Sequence, residues 1–158
     1  MADYAFRPVT EDDLPMLARW LARPEVAVWW PGPDRQVALI RDDLGHRVTR
    51  QVIAMRDDIA LGYAQSYPAH HWPALHFADL PADAVALDVF AGPDGMGQGG
   101  AWLSALGDLL LQECSTLAID PAPENLRAIA AYRKAGFAGD DIRHDGLGRP
   151  VRVMNRLR

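Results

Sequence analysis

The segment Met96-Gly97-Gln98-Gly99-Gly100-Ala101-Trp102-Leu103 puts a glycine cluster at the start of an apolar-periodic stretch. Glycines let backbone amides come close to a ligand, and a helix start carries partial positive charge. The pattern therefore suits a phosphate held without any lysine. It suits equally a plain glycine turn ahead of a core helix. Upstream, Asp88 interrupts the otherwise apolar run Val85-Ala86-Leu87-Asp88-Val89-Phe90. A carboxylate among apolar neighbours is costly unless partnered, so Asp88 either meets a cation or bonds a nearby turn. His70, His71 and His76 lie close together, but no cysteine or carboxylate stands at ligand spacing, so no metal is expected.

These groups need elements to carry them. Tyr4 to Val9 reads as a strand. Thr10 then caps a helix to about Ala22, with Asp13 as a capping-box partner and Leu14, Leu17, Trp20 and Leu21 as its buried stripe. A short segment from Glu25 to Trp30 is broken by Pro31-Gly32-Pro33, and Gln36 to Leu44 reads as helix. Arg50 to Met55 and Ile59 to Tyr67 read as strands joined at Asp57-Asp58. Pro68 to Asp83 is irregular, and a stretch that long is functional or poorly ordered. Ala84 to Phe90 reads as a buried strand, Gln98 to Glu113 as a helix and Thr116 to Ile119 as another buried strand. Pro123 suits the first position of a helix that runs to Ala135 and stops at Gly136. Two weaker strands follow, near Asp141-Arg143 and Val151-Asn155. The alternation implies an α/β or α+β domain around a mixed sheet.

Length and composition fit one soluble domain over residues 1–158: 49% of residues are hydrophobic and 23% charged. No apolar run reaches the roughly 18 residues of a membrane span, and the N-terminal residues lack a signal-peptide layout. The net charge of −5 argues against nucleic acid and is compatible with a cationic substrate. The one cysteine, Cys114, excludes an intrachain disulfide, fits a reducing compartment and reads as an inert thiol beside the core.

With the glycine cluster and the downstream segment Asp120-Pro121-Ala122-Pro123-Glu124-Asn125-Leu126-Arg127-Ala128-Ile129 both placed, the chain resembles the GNAT superfamily of acyl-CoA-dependent N-acyltransferases. Within it, the likeness is greatest to the aminoglycoside 6'-N-acetyltransferases. It rests also on Val28-Trp29-Trp30-Pro31-Gly32, Leu61-Gly62-Tyr63-Ala64-Gln65-Ser66-Tyr67, Ala86-Leu87-Asp88, Tyr132 and Lys134-Ala135-Gly136-Phe137. The resemblance implies a mostly antiparallel sheet that splays between two central parallel strands and is flanked by helices. It also implies acetyl-CoA as co-substrate, a small-molecule amine as acceptor, and a cytoplasmic enzyme acting as monomer or homodimer.

Residue by residue, the resemblance assigns Gly97, Gln98, Gly99, Gly100 and Ala101 to the pyrophosphate and Asn125 to the pantetheine arm. Val89 or Phe90 would supply an amide to the thioester oxygen. Asp88 would receive the acceptor amine, Asp120 a second amine, and Tyr132 would protonate the departing thiolate. Trp29, Trp30, Tyr67 and Trp72 would wall the acceptor pocket. Taken alone, Asn125 is a helix cap, Asp120 a strand-end residue, and Tyr132 and the other aromatics are core. Two departures stand out: Met96 replaces the arginine or glutamine usual before the first glycine, and Asp94 adds negative charge nearby. Two other readings stay open, a siderophore-type lysine N-acyltransferase and a non-catalytic acyl-CoA-binding module.

Overall fold

The computed structural model describes residues 3–158. In chain order the elements are β1 (Tyr4–Pro8), α1 (Leu14–Leu21), α2 (Pro24–Ala27), α3 (Pro33–Asp42), β2 (Arg50–Arg56), β3 (Ile59–Pro68), β4 (Val85–Ala91), α4 (Gly99–Leu110), β5 (Thr116–Ile119), α5 (Leu126–Lys134), β6 (Ala138–His144) and β7 (Pro150–Leu157). The strands are hydrogen-bonded in the order β1-β2-β3-β4-β5-β7-β6. The pairs β1–β2, β5–β7 and β6–β7 are antiparallel, and β4–β5 is parallel. This is the mixed, mostly antiparallel sheet with flanking helices expected from the sequence.

The chain divides into two compact units, and β3 and β4 contribute residues to both. The first contains β1, α1 to α3, β2, Ile59–Gln65 of β3 and Val89–Met96. The predicted stripe of α1 is its spine: Leu14, Leu17, Trp20 and Leu21 are all buried, and they pack with Ile53, Tyr63 and Phe90. Spacings of three and four residues put them on one helical face, and burying such side chains is worth about 1.5–3 kcal/mol each. Two glycines exist for close passage. A Cβ on Gly92 would stand 2.5 Å from the Trp20 ring, and one on Gly95 would stand 1.9 Å from the Leu61 carbonyl oxygen. The second obstacle is backbone and has no way to swing aside. Gly95→Ala is therefore expected to cost roughly 3 kcal/mol of stability, read as a lower urea midpoint. A midpoint within error of the parent would show that this turn tolerates the methyl.

The helix expected from Thr10 starts later than the sequence reading had it. Residues Glu11–Asp13 form a 3-10 turn, and the α-helix begins at Leu14 with Pro15 in its first turn. Asp13 explains the turn. Its carboxylate accepts from both Arg7 guanidinium nitrogens, at 2.8 and 2.7 Å, and from the Thr10 amide at 2.9 Å. The Arg7 hydrogen bonds, with the Thr10 amide, hold the Asp13 carboxyl below the usual carboxylate range. A pKa depressed by folding contributes stability above the unfolded value of about 3.9, and that stability is lost as pH falls through the lower folded value. The urea-midpoint gap between the parent and Asp13→Asn is expected at neutral pH and should close well below pH ~4. A gap unchanged down to pH ~3 would contradict this.

The second unit contains Ser66–Asp88 and Gly97–Arg158. Small residues fill its centre: Ala69, Ala84, Ala86 and Ala118 pack with Phe77 and Val153. Helix α4 lies against α5 at Gly100, where a Cβ would come 2.8 Å from the Lys134 Cβ and 3.0 Å from the Ala131 carbonyl oxygen. Gly100 is thus a packing glycine as well as a helix-start glycine. Helix α5 ends as expected, with Gly136 at φ +95° and the Phe137 amide donating to the Tyr132 carbonyl at 3.0 Å. Its start differs from the expectation at Pro123. The Asn125 amide closes a turn onto the Ala122 carbonyl at 3.0 Å, and the helix proper begins at Leu126. The segment expected to be irregular contains one 3-10 turn, Leu75–Phe77, and is firmly tied down. Among the described residues, no helix is long and apolar enough to cross a membrane.

Candidate active site

The site is built where two parallel strands part. Strand β4 pairs with β5 at Val85↔Leu117 and Ala86↔Ala118, and no further pair follows among the described residues. Strand β4 nevertheless continues to Ala91, and β5 to Ile119. Past the last pair, β5 stays bonded to β7, with Ile119 opposite Met154. This is the expected splay. Asp88 stands on β4 two residues beyond its last pair with β5, and Asp120 directly follows β5.

Four side chains of the second unit form one electrostatic cluster. The Tyr67 hydroxyl donates to the Asp88 carboxylate. Burial first, then the charges of Asp88 and Asp120, push the Tyr67 phenol far above its ordinary range. The same three causes, in the same order, push up the buried Tyr132 phenol on α5. Both hydroxyls therefore remain protonated at any working pH, which suits donors and not bases. Asp88 and Asp120 supply the negative charge that an ammonium would seek. Tyr67 does more than the wall role assigned to it, since it fixes the Asp88 carboxylate. Its ring also meets Trp72 edge-on at 5.4 Å, and Trp72 is 43% exposed.

Sequence reading missed His76 as part of this cluster. Its Nε2 lies 2.9 Å from Asp120 Oδ2, and its side chain is 8% exposed. The one available signal was a histidine flanked by Leu75 and Phe77, an apolar setting that asks for a partner. The other two histidines of this segment have separate tasks. His70 Nε2 lies 3.0 and 3.1 Å from the carbonyls of Leu80 and Pro81, and His71 packs edge-on against Trp72 at 4.4 Å.

Four predicted site residues belong to the first unit. Trp29 is exposed, while Trp30 meets Phe90 edge-on at 5.1 Å and Phe90 stacks on Tyr63 at 4.9 Å. The Trp30 and Phe90 rings thus serve a hydrophobic core. The amides of Val89 and Phe90 lie beyond the β4–β5 pairs.

The start of α4 fits an anion. The helix is 12 residues long, its cap residue Gln98 makes no side-chain cap bond, and no acidic residue stands in its first turn. Gly97 has φ +83°, and a Cβ there would meet nothing within 4 Å, so the approach is open. The first amides of a helix have no carbonyl partner in the helix itself, which leaves Gly99 and Gly100 aimed outward. The Ala101 amide already donates to the Gln98 carbonyl at 3.1 Å and so adds less than the sequence suggested. Asn125 acts as the cap of α5, its Oδ1 accepting from the Ala128 amide at 3.3 Å. Cys114 is buried, and burial raises its thiol pKa, as expected for an unreactive group.

Comparison with known proteins identifies relatives of this chain. The family described as Acetyltransferase (GNAT) domain matches residues 9–142. The chain is 35% identical over 151 residues to the aminoglycoside N(6')-acetyltransferase type 1 of Klebsiella pneumoniae, covering 83% of this chain and 72% of that protein. A structure of AAC(6')-Ib in complex with paromomycin and acetyl-CoA superposes with a TM-score of 0.82 at 30% identity, over 99% of this chain and 94% of the other. A structure of AAC(6')-Ib with coenzyme A and kanamycin gives 0.81 at 31% identity, over 99% and 95%.

Proposed function

This chain belongs to the GNAT acetyltransferase family, and on that premise we propose that it moves the acetyl group of acetyl-CoA to the 6'-amine of an aminoglycoside. The observation that carries the reading is the position of Asp88 just past the last β4–β5 pair, hydrogen-bonded by Tyr67 and acting electrostatically on Tyr132. Acetyl-CoA, when bound, supplies a thioester acyl carbon open to an amine. The chain's part is to hold both reactants and to manage the protons.

The Gly99 and Gly100 amides, with Gly97 opening the approach, bind the pyrophosphate. An amide of Val89 or Phe90 is assigned to the thioester oxygen and the oxyanion that follows. One such donor is typically worth about 3 kcal/mol in the transition state. Asp88 receives the acceptor ammonium and accepts its proton, directly or through water. The freed amine attacks the carbonyl carbon, and as the C–S bond breaks the second proton of the attacking nitrogen leaves through water, so that the amide forms and the proton Tyr132 gives to sulfur is replaced. Tyr132 donates toward the leaving sulfur. Its high pKa in the resting site would make full donation unfavourable, but two of the three causes are carboxylate charges. Proton uptake by Asp88 removes one of them, so base and acid are coupled. No nucleophile is placed for a covalent enzyme intermediate, and Cys114 is buried.

Trp72 and Tyr67 offer aromatic faces to a sugar ring. The reading further takes the chain as one GNAT domain, a cytoplasmic monomer or homodimer that acts on a small amine and not on nucleic acid, in keeping with its net charge of −5 and single cysteine. The test is free-thiol release from acetyl-CoA with kanamycin-type aminoglycosides, lysine derivatives and simple polyamines. Turnover confined to acceptors bearing a 6'-amine is expected. Turnover confined to lysine derivatives, or none despite bound acetyl-CoA, would overturn the reading.

A further inference from the structure

Asp120 is not an open carboxylate. The segment that precedes β4 brings His76 to it, and three separate anchors hold that segment in place. Arg143 on β6 donates to the His76 carbonyl at 3.0 Å and to both Asp79 carboxylate oxygens at 2.6 and 2.9 Å. His70 bonds the Leu80 and Pro81 carbonyls. Asp83 accepts from the Ser115 amide at 2.8 Å and the Ser115 hydroxyl at 2.6 Å. The result is an imidazole on Asp120 that arrives from 44 residues away in sequence. An ionised carboxylate only accepts, so the hydrogen bond at this contact is one that His76 Nε2 donates.

A second observation concerns the other ring nitrogen. His76 Nδ1 is fully buried and has no hydrogen-bond partner among the described residues. Closed off from solvent, that nitrogen leaves the contact with Asp120 as the imidazole's one hydrogen bond among the described residues.

We propose that His76 determines acceptor specificity: its Nε2–H fills, from within the protein, the place on Asp120 that a second acceptor ammonium would take. The enzyme then demands one ammonium, at Asp88. This rests on the amine-acetylating reading above. His76 is a positioning and specificity residue, with no part in the proton transfers.

The test compares kanamycin A with kanamycin B, which differ by a hydroxyl against an amine on one carbon. kcat/KM is measured for each, and their affinities are measured by calorimetry in the presence of coenzyme A. The parent is expected to treat the two within about threefold of each other, and His76→Ala to shift the ratio about tenfold toward kanamycin B. His76→Gln retains an N–H for Asp120 and should restore the parent ratio. Asp120→Asn in the parent background should leave the ratio unmoved, and this reading does not depend on the folding of the alanine variant. The proposal is overturned if His76→Ala leaves both ratios unchanged, or if Asp120→Asn alone shifts the parent ratio toward kanamycin A. Absence of turnover with both kanamycins would instead count against the acetylation reading, while the calorimetric ratio still decides the role of His76.

Discussion

Asp88→Asn is expected to lower kcat/KM for the amine acceptor by about 10²- to 10⁴-fold while leaving acetyl-CoA affinity unchanged. Asparagine keeps an oxygen for the Tyr67 hydroxyl and nearly the same volume, so the strand and its splay should survive. What it loses is the charge that attracts the ammonium and the basicity that takes its proton. Loss of the charge appears in KM and loss of the base in kcat, so both are expected to move. The Tyr67 phenol also loses one of the charges that raise its pKa. Near-parental kcat/KM in the asparagine variant would remove Asp88 from the mechanism.

Tyr132→Phe is expected to lower kcat by about 10²-fold with little change in either KM. The ring is buried on α5 and would remain, so packing is conserved while the hydroxyl goes. The proton is needed only as the C–S bond breaks, which places the loss in kcat. The variant should regain rate with an acyl donor whose thiol has a lower pKa, since such a sulfur leaves without help. Combined with Asp88→Asn, the second change should cost less than it does alone, because the two groups act on one proton inventory. Equal sensitivity of parent and phenylalanine variant to the leaving-group pKa would show that the hydroxyl takes no part.

Much of the scaffold was readable because it rests on local patterns. Thr116 to Ile119 is a strand at the predicted bounds, since four buried apolar or β-branched residues between turns have few other options. The stripe of α1 followed from spacing alone. Pro123 misled as a helix start because proline and Asn125 both favour that position, and the turn onto Ala122 decided in favour of Asn125. The aromatics were harder. Trp30 has the chemistry of a sugar-binding wall, yet Phe90, Tyr63 and the α1 residues give it a core. Sequence states which side chain is aromatic, not which face of the sheet claims it.

The segment from Pro68 to Asp83 marks the limit most clearly. Its three prolines and irregular composition gave no periodicity to read, and its order comes from partners far along the chain: Arg143 for Asp79, Ser115 for Asp83 and Asp120 for His76. Such bonds leave no local trace. Asp88 stood out as a candidate because a carboxylate in an apolar strand violates a local rule. His76 offered only a polar side chain between Leu75 and Phe77, and its partner, Asp120, lies 44 residues on.

The central claim is transfer of one acetyl group from acetyl-CoA to a 6'-amine. The most direct measurement is the structure of the product formed from acetyl-CoA and kanamycin, by mass and by NMR of the purified compound. A single added acetyl group, carried as an amide on the 6' nitrogen with one equivalent of free coenzyme A released, is the predicted result. Acetylation at another nitrogen or on a hydroxyl, or recovery of unmodified kanamycin from enzyme that binds acetyl-CoA, would contradict it.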